Sequence, residues 1–302
     1  MIDLRRLQVL RAVAYHGTVT AAAHALHLTP SAASQQVRQL GRDLGVQLLE
    51  PHGRRVRLSP AAHSLLAHAD AIEQRWQEAE ADLQATSNAT AAGVLQLCGF
   101  PTAVSALLAP VAVRLRQSSP SLRVRIREAE PSECFDLLFA GEADLAVVEA
   151  TPDNPPLTDT RFDQQALLND PFDLITAPDH RLTATSAVTL ADLATESWIL
   201  GMPGSSSRQH VLAACNSAGF TPGIAHQARE WTVVATLVAH NLGIALLPRL
   251  AQLPPGLNVT RTPLTGTPTP SRRFLTATRR GNREHPAITA AMTVLGTLLT
   301  NQ

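Results

Sequence analysis

Ser31, Ser34, Gln35 and Arg38 fall three and four residues apart in the stretch TPSAASQQVRQL, from Thr29 to Leu40. On a helix that spacing gathers them on one face. Their chemistry suits a nucleic-acid duplex. Small hydroxyls let a helix sink into a groove and donate to phosphate oxygens. A glutamine amide can pair in two places with adenine, and a guanidinium can reach guanine or phosphate. An ordinary solvated face is the alternative for the pattern taken alone. A second basic group lies nearby, with Arg54, Arg55 and Arg57 around Gly53 in QLLEPHGRRVRLSP. Leu48, Leu49, Val56 and Leu58 flank that turn as a short hairpin, so the arginines sit at its tip and on its returning strand. A basic hairpin beside a groove-reading helix is a wing able to touch backbone or minor groove.

The elements that must position these side chains are legible. LRRLQVLRAV places Leu4, Leu7, Leu10 and Val13 on one helical face, and Gly17 stops that helix. Thr18 can cap a second helix whose Ala22, Ala23 and Leu26 face inward; its alanines allow close helix approach. Thr29 caps a third, with Pro30 at the first position, where a missing N–H costs nothing. Ala33, Val37, Leu40 and Leu44 form its inner seam and Gly45 ends it. Gly41 should weaken the end of that helix by about 1 kcal/mol relative to alanine. Two short helices with the second presented outward make a helix-turn-helix.

Charge follows the same division. The chain has 302 residues and a formal net charge of zero, and it lacks lysine. Up to Pro60, eight arginines face only Asp3, Asp43 and Glu50; from Asp70 to Asp82 five acids face Arg75 alone. A basic head on a neutral chain points to a polyanion partner for the head. After Ser59 and Pro60 a long helix opens. Leu65, Ala69, Ile72, Trp76, Ala79 and Leu83 step along it by four and three, an oligomerisation seam for a partner helix from a second copy. Packing on the chain's own larger domain is the other reading. QATSNATAAG then reads as a linker.

From Met1 to about Leu83 the chain resembles the LysR-type transcriptional regulators. The likeness is carried by LQVLRAVAYHGTVTAAAHALHLTPSAASQQVRQLGRDLGVQLLE and RRVRLSPAA, in particular Gly17, Ala22-Ala23, Leu26, Ser34, Val37, Leu40, Leu44-Gly45 and Arg57-Leu58-Ser59-Pro60. The chain departs from the family's usual pattern at Gln35, Gly41, Leu49, Pro51 and Ala62, which bears on operator sequence and affinity rather than on the DNA-binding role.

The rest of the chain fits that family's effector domain and also reads independently. Strand signals at Val94–Phe100, Leu122–Glu128 and Leu145–Val148 alternate with helical ones, an α/β unit with a mostly parallel sheet; Pro110 predicts a kink or helix start. A second unit begins at DPFDLITAPDH. The expected architecture is α/β: a winged helix-turn-helix (1–59), a linker helix (60–88) and a two-lobed, periplasmic-binding-protein-like domain (92–302). Lobe I takes about 92–160 and 268–302, and lobe II about 161–267. Ligands of such domains sit at the carboxyl ends of strands, near helix starts. Two loops qualify, Phe100-Pro101-Thr102 with Ser105, and Gly204-Ser205-Ser206-Ser207; both suit an anion such as a carboxylate, and ordinary capping explains each by itself. The resemblance implies that they pair across a cleft to bind a small effector, with Thr102 and Ser205 leading. Glu149, Glu230 and Trp231 are further candidates for the lining, Trp231 reading better as core.

Enzyme chemistry is not indicated. His24 with His27, and His63 with His68, lack a carboxylate to complete a metal set. GSSS is no nucleophile elbow, and there is no P-loop or dinucleotide glycine pattern. Cys98, Cys134 and Cys215 are odd in number and lie in apolar surroundings, as buried thiols do. No cofactor or metal is expected. The N-terminus lacks a signal-peptide cleavage site and no window suits a membrane span, so the chain reads as cytoplasmic. The resemblance implies a homodimer or homotetramer on a pseudo-palindromic operator, with RNA polymerase as a further partner. The alternative is a cytoplasmic small-molecule-binding protein of periplasmic type without a DNA role.

Overall fold

The computed structural model describes residues 4–52, 55–69, 72, 75, 79, 93–184 and 187–300. They fall into two compact units, one drawn from Met1–Asn88 with Arg280–His285, the other from Ala89–Arg279 with Pro286–Gln302.

The first unit begins with α1 (Leu4–His16), α2 (Val19–Ala25) and α3 (Pro30–Leu44). The expected seams form its core: Leu10, Ala22, Ala23, Ala33 and Val37 are fully buried. Alanine contacts between α2 and α3 let the helices approach closely, which is why large side chains are scarce there. Thr18 Oγ1 accepts from Ala21 N at 3.1 Å and Thr29 Oγ1 from Ala32 N at 3.2 Å, so both caps are made. Gly45 closes α3 at φ +68°, a left-handed residue that glycine adopts without strain. Gly41 corrects the expectation drawn from helix propensity. A Cβ there would lie 2.6 Å from the Val46 carbonyl oxygen, because the chain folds back over α3. Glycine at this position admits the return of the backbone, and alanine would not improve it.

Strands β1 (Leu49–His52) and β2 (Arg55–Leu58) pair antiparallel, Leu49 opposite Leu58 and Glu50 opposite Arg57. Ser59 then caps α4 (60–69), its Oγ accepting from Ala62 N at 3.1 Å. Ala62, Leu66 and Ala69 are the buried face of α4, and Leu65 is only half-buried. Ile72 is 68% exposed and Ala79 is also exposed, whereas Trp76 and Leu83 lie outside the described residues.

The second unit contains β3 (Gly93–Gly99), α5 (Pro101–Ala103), a wide π turn (Val104–Leu108) and α6 (Ala109–Ser118). Pro110 enters α6 at its first turn, directly after the π turn. The missing proline N–H is thus absorbed where helical hydrogen bonding is already shifted, and the helix continues. Then come β4 (Leu122–Glu128), α7 (Pro131–Ala140), β5 (Leu145–Glu149) and the long β6 (Phe162–Thr176). They are followed by β7 (Ser197–Leu200), α8 (Ser206–Ser217), β8 (Gly223–Gln227), α9 (Trp231–Ala239), β9 (Ala245–Pro248), β10 (Thr260–Pro263), β11 (Ser271–Arg279) and α10 (Pro286–Thr300).

Lobe I is built on the order β4-β3-β5-β11-β6. Its β4, β3 and β5 are parallel, as expected, while β11 and β6 run antiparallel to the strands beside them. The sheet is therefore mixed, because β6 and β11 are the two strands that carry the chain between lobes. The half-buried alternation expected of β4 is weaker than anticipated: as an edge strand it leaves Ile126 exposed. Lobe II places β9 and β10 along the far half of β6 and pairs β7 with β8 in parallel, and a bridge from Trp198 to Ile244 joins the two groups. Phe274, Leu107 and Leu115 centre the core of lobe I, and Phe172 and Trp198 that of lobe II.

Candidate functional site

On α3, burial separates two faces. Ala33, Val37 and Leu40 point into the fold, while Ser31, Gln35 and Arg38 are exposed and Ser34 is half-buried. Thr29 is exposed, caps the helix, and its hydroxyl lies 3.1 Å from that of Ser31. Ser34 and Arg38 also border a groove of about 600 Å³ between α3 and the chain leading into β1, lined further by Arg42, Val46, Gln47 and Leu49. Of the wing arginines, Arg57 lies across the hairpin from Glu50, with Nη2 3.0 Å from Oε2, and its side chain stays 64% exposed. It is thus part of the hairpin's own cross-strand pairing as well as of the exposed basic set. Arg54 and the side chain of Arg55 lie outside the described residues.

In the second unit, the hydroxyls singled out from sequence are engaged locally. Ser205 caps α8, donating to the Met202 carbonyl at 2.9 Å and accepting from Arg208 N at 3.4 Å. Ser105 Oγ donates to the Thr102 carbonyl at 3.2 Å, and Thr102 itself is buried. Glu230 stands exposed at the start of α9 without capping it, and Trp231 packs against the core around Ile175, Ile199 and Val234. The cavity beside Gly201, Ser207 and Trp231 is about 10 Å³, room for no more than a water.

What the fold does bring together is a chain of charges running between the lobes. Glu149, at the carboxyl end of β5 in lobe I, is 4% exposed. Its Oε1 lies 2.8 Å from His210 Nε2 and its Oε2 accepts from Ser206 Oγ at 3.2 Å, both on α8 of lobe II. Arg272 Nη1 is 4.0 Å from the same Oε2. Arg272 is itself buried on β11, where its guanidinium lies 4.9 Å from the Phe274 ring centre and 5.2 Å from that of Phe100. Its Nε donates to Asp170 Oδ2 at 3.0 Å, and Leu250 N donates to Asp170 Oδ1 at 3.0 Å. Burial pushes the Asp170 carboxyl above its ordinary value and draws Arg272 below its own, while their mutual attraction opposes both shifts. Three residues further along β6, Asp173 holds Arg249 at 2.7 Å.

Residues 88–299 match the LysR substrate binding domain, and residues 4–63 match the bacterial regulatory helix-turn-helix protein, lysR family. The chain belongs to the LysR family of transcriptional regulators. It is 30% identical over 246 residues to the RuBisCO operon transcriptional regulator of Allochromatium vinosum, covering 82% of this chain and 79% of that one. It is 28% identical to the DNA-binding transcriptional dual regulator OxyR of Escherichia coli K12, over 84% of this chain and 81% of that one. Among solved structures, a full-length OxyR variant from Pseudomonas aeruginosa superposes with a TM-score of 0.63 at 22% identity, covering 98% of this chain and 95% of that one. Full-length BenM gives 0.58 at 24% identity, over 99% and 97%. These likenesses show the fold: a winged helix-turn-helix followed by a two-lobed α/β domain. The LysR-family chain is therefore a DNA-binding transcriptional regulator with an effector-binding domain.

His210, Arg272 and Asp170 were missed in the sequence. A signal for Arg272 existed: it alternates with Phe274 and Thr276 on one face of a strand, and an arginine on an apolar face demands a buried acid. Asp170 lies opposite it in the β11–β6 register. His210 had no comparable signal, since only the approach of α8 to β5 gives it a partner. Among the described residues, no group of three or more histidines, cysteines or acids could hold a metal, and no helix is long and apolar enough to cross a membrane. The three thiols are buried; burial pushes Cys215 up to about 11, and contact with Cys98 together with burial drives Cys134 further still. Neither of these two offers a thiolate at neutral pH.

Proposed function

We propose that this regulator reads its operator with Thr29, Ser31, Ser34, Gln35 and Arg38, flanked on the backbone by Arg54, Arg55 and Arg57. The observation that carries the reading is the exposure of Gln35 and Arg38 on a helix capped at both ends, whose opposite face is fully buried. A rigid helix with two groove-capable side chains pointing out is the element such recognition needs. Residues 1–59 act as the reading domain and 60–88 as the linker. Leu65, Ile72, Trp76, Ala79 and Leu83 join copies, whereas Ala69, expected in the same seam, is already buried against the chain's own fold; two reading helices then meet a pseudo-palindromic site. The exposure of Ile72 supports the seam, because an isoleucine left in water gains by meeting a partner. Residues 92–302 bind a small effector between the lobes, and its binding changes the setting of the subunits through different affinities for two states. The protein works in the cytoplasm, and RNA polymerase is its downstream partner.

The test is retention of the whole protein on its own upstream DNA across a salt series. Binding should weaken steeply as salt rises, with a specific excess over random duplex. No salt-sensitive binding to any duplex would leave a small-molecule-binding protein without a DNA role.

A further inference from the structure

We infer that the anion seat between the lobes is already occupied, by the chain's own Glu149, so that the effector cleft refuses a small carboxylate at the start of α8 unless Glu149 leaves. The inference deepens the effector reading above and rests on it.

The start of an α-helix favours negative charge, because its first N–H groups lack helical partners and the helix dipole is positive there. Beside the opening turns of α8, a helix of 12 residues, a carboxylate reaches over from the other lobe to the side chains of Ser206 and His210. Ser206 is the first residue of α8 and His210 lies one turn on. Together they donate to both oxygens of Glu149, whose side chain is 5% exposed. The strand end that presents Glu149 is itself fixed, with Asn154 Nδ2 donating to the Glu149 carbonyl at 2.7 Å and Ala150 N to the Arg273 carbonyl at 2.8 Å. Arg272, 4.0 Å from Glu149, is committed to Asp170, and Arg208 on the first turn of α8 gives its Nη1 to the Gly201 carbonyl. A second carboxylate beside Ser206 and His210 would meet a buried like charge whose two side-chain donors are already taken, a combination that desolvation makes unfavourable. A carboxylate can therefore enter only in exchange for Glu149. That exchange breaks the hydrogen bonds joining β5 of lobe I to α8 of lobe II. Glu149 thus serves both as a specificity determinant and as a latch between the lobes.

The experiment is chemical rescue in the full chain. Glu149→Ala vacates a space of carboxylate size beside two intact donors. Its melting temperature should fall by several degrees and recover saturably with added acetate or formate, but not with chloride at matched ionic strength. The wild type, and Glu149→Gln whose amide fills the seat, should show no saturable response. An unresponsive but folded Glu149→Ala, or a wild type that acetate stabilises to the same extent, overturns the inference. If Glu149→Ala does not fold, the Ser206→Ala, His210→Ala double variant carries the test. Amide exchange over residues 149–154 and 204–210 should accelerate, and unchanged exchange there overturns the inference. DNA retention measured on the same samples separates the two readings: loss of duplex binding by wild type defeats the regulator reading, whereas the acetate response bears on the latch alone.

Discussion

Replacing Arg272 with methionine should be among the most damaging single changes in the effector domain. The guanidinium is 5% exposed, and its partner oxygen on Asp170 belongs to a carboxylate that is wholly buried. Methionine keeps much of the volume between Phe100 and Phe274 but leaves Asp170 with only the Leu250 N–H. Breaking a buried pair from one side costs about 3–5 kcal/mol. In a domain of this size each kcal/mol lowers the melting temperature by about 2–4 °C, so a drop of about 6–20 °C is expected. Trp198 is fully buried in the same domain, and its fluorescence is a suitable probe of the melt. The loss should also depend on pH. Burial holds the folded pKa of Asp170 above its unfolded value, so its contribution is complete below the unfolded value, about 3.9, and is lost as pH rises through the folded one. Removing Arg272 takes away the attraction that opposed burial and carries the folded value higher. The gap between variant and wild type should thus be small at acid pH, below the folded values, and widen as pH rises through them. Adding Asp170→Asn should recover part of the loss, since an amide needs no counter-charge. An Arg272→Met variant that melts within a degree or two of wild type, or whose loss does not grow with pH, would refute the account of a buried ion pair.

Gly41→Ala separates helix propensity from packing. Propensity gains about 1 kcal/mol, but the clash with the Val46 carbonyl should cost about 1–3 kcal/mol, so thermal melts should show net destabilisation, and a stabilised variant would deny the close approach. Arg38→Ala should weaken specific operator binding by about 1–3 kcal/mol if the side chain reads a base, and gel-shift titrations showing unchanged affinity would place it off the interface. Ile72→Glu should weaken self-association, because it puts a charge where an apolar seam needs to close. Sedimentation velocity finding the same oligomer at the same concentrations would remove Ile72 from the seam.

The reading domain was legible because its signals are local. Thr18, Thr29, Pro30 and Gly45 act within one turn of their own positions, and the Ala33–Val37–Leu40 seam follows from helical period alone. Gly41 misled for the same reason: propensity is a local property, and the Val46 carbonyl reaches it only after the chain has turned back. In the effector domain the strands and helices were readable one by one, but their directions in the sheet were not. Nothing local tells β11 to run against both β5 and β6, because that depends on where the chain crosses between lobes. The cleft suffered most. The sequence offers Ser205 and Thr102 either as anion-binding groups or as ordinary caps; Ser205 spends its hydroxyl on the turn that starts α8, and its neighbour Ser206 is the one that meets the other lobe. Pairing Glu149 with His210 spans 61 positions, and no periodicity carries information that far.

The length of β6 has a practical outcome for anyone dissecting this protein. Its 15 residues pair with β11 at one end and with β9 and β10 at the other, so one uninterrupted ribbon serves as a structural member of both halves. No scission point at either end of this ribbon yields two self-sufficient lobes. Cutting before Phe162 strips the first half of its border strand, and cutting after Thr176 strips the second. A single-residue insertion within the ribbon would turn every later side chain from inside to outside and scramble the far half wholesale. Truncation series and reporter insertions should therefore leave this segment whole.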